Sequence, residues 1–154
     1  MKCMGVGKKG EELAKELFQA NYNCAQSTLA GILSAKGREY KDRIRLAGAF
    51  GAGIAQQGLT CGAVTGGLMA FGLLVPLGED MGAWKKQVAD LSKEYIREFK
   101  DRFGALDCSK LAGCDMSDAA VRKTFHDSGG RDRICTPMVM AGTEIALEIL
   151  RRRR

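Results

Sequence analysis

Along the chain, apolar residues recur at three- and four-residue intervals and rarely alternate, the pattern of amphipathic helices and not of strands. The first such stretch runs from Lys9 to about Ala35. Leu13, Leu17, Cys24, Thr28 and Ile32 share one face there, which predicts a single long helix with Cys24 in its middle, facing inward. Gly37 ends it. A second helix is expected from about Lys41 to Gln56, and a third from Thr60 or Cys61 to just before Pro76 and Gly78. The fourth, about Met81 to Phe103, carries the clearest stripe: Trp84, Val88, Leu91, Tyr95, Phe99 and Phe103, with Gly104 to stop it. A short helix from Cys108 to Ala112 closes on Gly113. Another runs from Ser117, a suitable N-cap, to about His126. The last starts at Pro137, a residue suited to a first helical position, and ends in the arginines. The expected fold is all-α: a single-domain helical bundle, residues 1–154, of six or seven helices with a Gly-rich central helix pair. Residues 1–8 read as frayed and 151–154 as a basic tail.

Composition refines this picture only slightly. With 154 residues, 45% hydrophobic and 27% charged, the chain has the size and balance of one globular domain with its own core. Arg151 to Arg154 supply four of the net +6 charges, so the rest of the chain is nearly neutral and no specific nucleic-acid partner is expected. Those arginines read as a solvated helix end that suits the C-terminal dipole. Leu46 to Gly78 spans 33 residues without a formal charge. It holds nine of the 20 glycines, and Gln56, Gln57, Gly58 and Thr60 interrupt it. Neither half offers the ~20 strongly apolar residues of a membrane span. The N-terminal stretch MKCMGVGKKGEELAKELF lacks an apolar signal region, so a cytoplasmic location is expected.

Six cysteines in a reducing compartment point to metal ligation or redox chemistry rather than a disulfide framework. Cys61 follows Thr60, Cys108 follows Asp107 and Cys135 precedes Thr136-Pro137, so all three fall at expected helix starts. A helix start offers unpaired N–H groups and a partial positive charge, which stabilise a thiolate and lower its pKa. Cys24 differs in its mid-helix position, with Asn23, Gln26 and Ser27 as polar company. On the third helix Gly62, Gly66 and Ala70 form one ridge, and Ala63 with Gly67 the next. Glycine inside a helix costs about 1 kcal/mol relative to alanine, so such a smooth face needs a reason. Close helix packing is one reason, and room beside Cys61 for a cofactor or partner thiol is the other.

Four landmarks in order, "NCAQS", "CGAVTG", "FGALDCSKLAGCD" and "CTPMVMAG", resemble the C_GCAxxG_C_C family, a group of about this length named for its cysteine pattern. The resemblance covers roughly Glu11 to Leu150 and implies a redox role, without supplying a reaction. It implies that the characteristic cysteines are Cys24, Cys61, Cys108 and Cys135, leaving Cys3 and Cys114 outside the set.

Four thiolates are the standard ligand set of an iron–sulfur cluster, so one-electron transfer through a cluster on Cys24, Cys61, Cys108 and Cys135 is the first expectation. Cys114 is a weaker candidate ligand, and Gly62 and Gly66 would make room beside the cluster. Zinc ranks lower because no C-x2-C pair is present. The alternative is thiol–disulfide exchange or redox sensing by the same cysteines, and the third reading is a non-redox structural or ligand-binding protein. A redox partner protein is expected, and self-association and enzymatic activity are left open. "GVGKKG" at Gly5 to Gly10 matches a dinucleotide motif without the preceding strand that would give it meaning. His126 is the sole histidine, and without a Cys-His pair covalent haem is excluded. It reads as a solvated or capping residue, and Glu79 and Asp80 as a helix start.

Overall fold

The computed structural model describes residues 9–153. Residues 1–8, expected to fray and including Cys3, and Arg154 lie outside the described residues. Within them the chain forms seven α-helices: α1 (Gly10–Gln19), α2 (Cys24–Ala35), α3 (Gly62–Leu74), α4 (Met81–Phe103), α5 (Cys108–Ala112), α6 (Ala119–Asp127) and α7 (Thr136–Arg152). A 3-10 helix at Arg43–Phe50 and a π-helical turn at Arg131–Cys135 complete it, and no strand occurs among the described residues. Among the described residues the extended pairing is an antiparallel bridge between Thr60 and Asp107. No described helix is long and apolar enough to cross a membrane.

The fourth expected helix is α4 as foreseen. Its Leu91, Tyr95 and Phe99 are buried at four-residue spacing, the Asp80 carboxylate accepts from the Ala83 N–H at 3.1 Å, and Gly104 ends it in the left-handed region at φ 82°. Arg151 to Arg153 are exposed at the end of α7, and each meets a glutamate. Arg152 and Arg153 reach back to Glu94, and Arg152 also to Glu98, so the last turn of α7 is docked onto α4.

Asp118 and not Ser117 caps α6, accepting from the N–H groups of Ala120 and Val121, and two larger expectations need correction. The long first helix is broken: Asn21 takes φ 73°, the chain turns, and α2 restarts at Cys24. The restart is a capping box. The Asn23 side chain accepts from the Gln26 N–H at 2.8 Å, and the Gln26 side chain accepts from the Asn23 N–H at 3.1 Å. Apolar spacing runs on through this break, so the pattern alone conceals it. The second helix is not an α-helix either. Residues 43–50 are 3-10, and Ala52, Gly53, Ile54, Ala55 and Gln56 then all have positive φ, forming one left-handed turn. Gly48, Gly51 and Gly53 weaken α-helix here, and the Asn23 amide holds the segment by donating to the carbonyls of Ala47 and Gly48.

The Gly-rich pairing is therefore between α2 and α3. A Cβ on Gly62 would lie 2.7 Å from the Ala25 nitrogen and the Cys24 Cβ, and one on Gly66 would lie 2.5 Å from the Ala25 carbonyl oxygen. The two backbones touch. On the next ridge Gly67, together with Gly142 of α7, makes space for fully buried Tyr95, whose hydroxyl donates to the Ala63 carbonyl at 2.7 Å. Around these contacts Leu29, Ile32, Leu33, Val64, Phe71, Phe99, Ile145 and Ile149 form the core.

Gly66→Val should drive α2 and α3 apart, because the added side chain meets backbone and not a movable side-chain end. We expect a loss of about 1–3 kcal/mol in urea unfolding, whereas Gly72→Ala, where a Cβ meets open space within α3, should leave stability unchanged or raise it by up to about 1 kcal/mol.

Candidate functional site

The close packing of α2 on α3 brings the start of α2 beside the start of α3. Cys24 is the first residue of α2, and Cys61 is the N-cap of α3. The bridge at Thr60 and Asp107 adds the third cysteine: the Cys61 N–H donates to the Leu106 carbonyl at 2.7 Å and the Cys108 N–H to the Leu59 carbonyl at 2.6 Å. Cys135 arrives from the π-helical turn below α7. Its side chain shares with Cys24 a small cluster of Ala14, Phe18 and Val139. Every pair among Cys24, Cys61, Cys108 and Cys135 is close enough to interact electrostatically. The four positions thus converge from four separate elements. Cys114 stands beside Cys108, on which it acts, and lies 3.7 Å from the Met116 sulfur.

Their environments differ. Cys61 is 5% exposed, and burial pushes its thiol up to about 12, outweighing the N–H groups of Ala63 and Val64 that favour the thiolate. Burial also raises Cys108, to about 11, with Cys135 and Cys114 adding to the rise and Arg122 opposing it. At both residues, then, desolvation reverses the expected helix-start effect. Cys135 is not at a free helix start, since the π-helical turn runs continuously into α7 and Thr136 bonds back to Arg131. Nevertheless its thiol is the acidic one. A hydrogen bond from Cys24 lowers it first, burial opposes, and the Arg131 guanidinium lowers it further. Cys24 moves the opposite way, held protonated by that same hydrogen bond and by the protein packed round its sulfur.

Cys24, Cys108 and Cys135 line one pocket of about 520 Å³, together with Arg122, His126 and Arg131. Cys61 and the glycine ridge do not line it; Gly62 and Gly66 are covered by α2 and act by placing Cys24. Part of the wall is the left-handed turn, through Ala52, Ala55 and Gln56. Arg131 closes α1 against the pocket: its guanidinium donates to the carbonyls of Phe18 and Tyr22 at 3.2 and 3.3 Å and lies 4.1 Å from the Phe18 ring centroid. His126 is exposed, and burial first, then Arg131 and Arg122, hold its pKa below the usual value. Sequence reasoning missed both arginines. Each precedes a pocket residue by four positions, Arg122 before His126 and Arg131 before Cys135, a spacing that puts them on one helix face.

Among the described residues no three of the His, Cys, Asp and Glu side chains are gathered closely enough to hold a metal ion. Cys24 and Cys135 do pack against the same small cluster. Because the neutral Cys24 thiol stabilises the charged form of Cys135, Cys24→Ala should raise the Cys135 pKa, whereas Cys24→Ser keeps a donor and should raise it less. Alkylation by iodoacetamide across pH, mapped by mass spectrometry, checks this. In the wild type Cys135 should react at lower pH than Cys108, and the reverse order would contradict the assignment.

The family model described as "Putative redox-active protein (C_GCAxxG_C_C)" matches residues 22–149, a span that contains all four converging cysteines. No curated protein and no solved structure matches the chain. By that match the chain belongs to the C_GCAxxG_C_C family.

Proposed function

We propose that the protein carries out two-electron thiol–disulfide exchange at the Cys24–Cys135 pair. The observation that supports this reading is that Cys24 and Cys135 pack in one small cluster and line the same pocket, with Cys135 the more acidic partner and Arg131 near it. An exchanging pair needs a thiolate with access and a resolving thiol within reach. The Cys135 thiolate attacks one sulfur of a disulfide substrate, forms a mixed disulfide and releases the first thiolate. Cys24 then gives its proton to solvent, attacks the Cys135 sulfur and releases the second thiolate. The protein dithiol is oxidised to a Cys24–Cys135 disulfide, and the substrate disulfide is reduced by two electrons to two thiolates. Run backwards with a dithiol partner protein, the same steps restore the reduced pair.

The second reading is electron transfer through an iron–sulfur cluster held by Cys24, Cys61, Cys108 and Cys135. It is favoured by the convergence of the four thiols on one another. These side chains do not form a ready metal site as they stand, so no step is derived through a cluster.

Mild oxidation of the purified, metal-free protein by a small disulfide should remove two free thiols and yield a Cys24–Cys135 linkage on peptide mapping. Cys24→Ser should stop the reaction at the mixed disulfide on Cys135, and Cys135→Ser should prevent it. An unchanged thiol count would refute the exchange reading. Anaerobic purification is the parallel measurement: absorbance around 400 nm with stoichiometric iron and sulfide, lost in the four Cys-to-Ser variants, would establish the cluster instead.

A further inference from the structure

All the formally charged side chains that line the pocket are cationic: Arg122 and Arg131 are present, and no Asp or Glu is. Neither guanidinium has a carboxylate partner among the described residues. Arg122 donates to the Met116 carbonyl at 2.7 Å and to the Gln56 side chain at 3.2 Å. Arg131 is held by the Phe18 and Tyr22 carbonyls and by the Asn21 side chain at 3.5 Å. Neutral acceptors thus fix both guanidinium groups in place and leave their charge uncompensated. The other arginines with fixed tertiary positions contrast with this, since Arg102, Arg152 and Arg153 each meet a glutamate. The carboxylate nearest His126, that of Asp127, is paired with Lys123 and acts on the histidine less than either arginine does.

Two anchored, uncompensated guanidinium groups in a concave wall attract an anion and suit the flat geometry of a carboxylate or other oxyanion. The cavity volume lies within the roughly 300–1,000 Å³ of small-molecule sites. We propose that the pocket selects small anionic substrates by holding their acidic group with Arg122 and Arg131. Combined with the thiol chemistry above, on which this last step rests, the substrate is an anionic organic disulfide. Its carboxylate is held by the arginines while the Cys135 thiolate attacks its sulfur. The electrons and leaving groups are those already written: two thiolates depart, and the Cys24–Cys135 disulfide remains.

Binding can be tested apart from reaction. Thiodipropionate is a dianion whose thioether cannot be reduced. Its binding to the reduced protein is followed by calorimetry and by the NMR signal of His126, the single histidine. The expected result is binding that weakens with added salt, shifts the histidine signal, falls about tenfold or more in Arg122→Gln and persists in Arg122→Lys. No binding to the wild type, or equal binding to Arg122→Gln, would overturn the anion site without requiring any variant beyond these to fold. In the second arm, dithiodipropionate should oxidise the pair about tenfold or more faster than the cationic disulfide cystamine. Equal rates without thioether binding would sink the anion site and leave the thiol chemistry standing. Thioether binding with no oxidation by either disulfide would keep the anion site and overturn the disulfide as substrate.

Discussion

The backbone of α2 rests directly on that of α3 at Gly62 and Gly66, and the arrangement of the cysteines depends on this contact. Any side chain at either glycine would enter backbone atoms of Cys24 or Ala25, or the Cys24 Cβ, which cannot move aside independently of the helix. The glycines sacrifice helix propensity, about 1 kcal/mol each relative to alanine. Burial of Leu29, Ile32, Leu33, Val64 and Phe71 around the contact offsets that loss. The consequence for function is positional. With α2 this close, its first residue, Cys24, stands beside the α3 N-cap and within reach of α7 and its preceding turn.

Once the thiols converge, their acidities are decided by a competition between burial and local donors. At Cys61 the N–H groups of the following turn favour the thiolate, as a helix start should, but nearly complete burial costs more and the thiol stays protonated. Cys135 has no free helix start at all. It is acidic because a specific donor, the Cys24 thiol, and a nearby cation, Arg131, together exceed its burial cost. A thiol and a cation beside the sulfur outweigh burial at Cys135, where two backbone N–H groups do not at Cys61. The pair is therefore asymmetric, with the more acidic member near a cation and the less acidic one beside it.

The pocket wall includes a run of left-handed backbone. Ala52, Ile54, Ala55 and Gln56 all sit in the left-handed region, which disfavours residues with a Cβ by roughly 1–2 kcal/mol each, and β-branched Ile54 most. Backbone bonds from Ala55 to Ala49, Gln56 to Gly51 and Leu59 to Gly53 hold the turn closed. Such strain persists where the surrounding structure overdetermines it, and it gathers at working sites. Here it carries Gln56 to Arg122 and brings Gly53 against Cys108, so the strained segment shapes the cationic wall of the thiol pocket.

The sequence by itself determined the all-helical architecture, the boundaries of α4 and α5, and the four cysteines that mark the family. Each is written locally, as periodicity, as a capping residue or as an ordered motif. The break at Asn21 escaped because the apolar spacing continues through it, and the capping box that restarts α2 is built from Asn23 and Gln26, residues that read equally well as mid-helix polar neighbours. The 3-10 segment and left-handed turn escaped because long-range bonds, including those from the Asn23 amide to the carbonyls of Ala47 and Gly48, override local preference there. Only the tertiary structure decided which thiol is acidic and that Arg122 and Arg131 face the same pocket. Desolvation, hydrogen bonding and uncompensated charge depend on what surrounds a group in space, and residues up to 113 positions apart supply those surroundings.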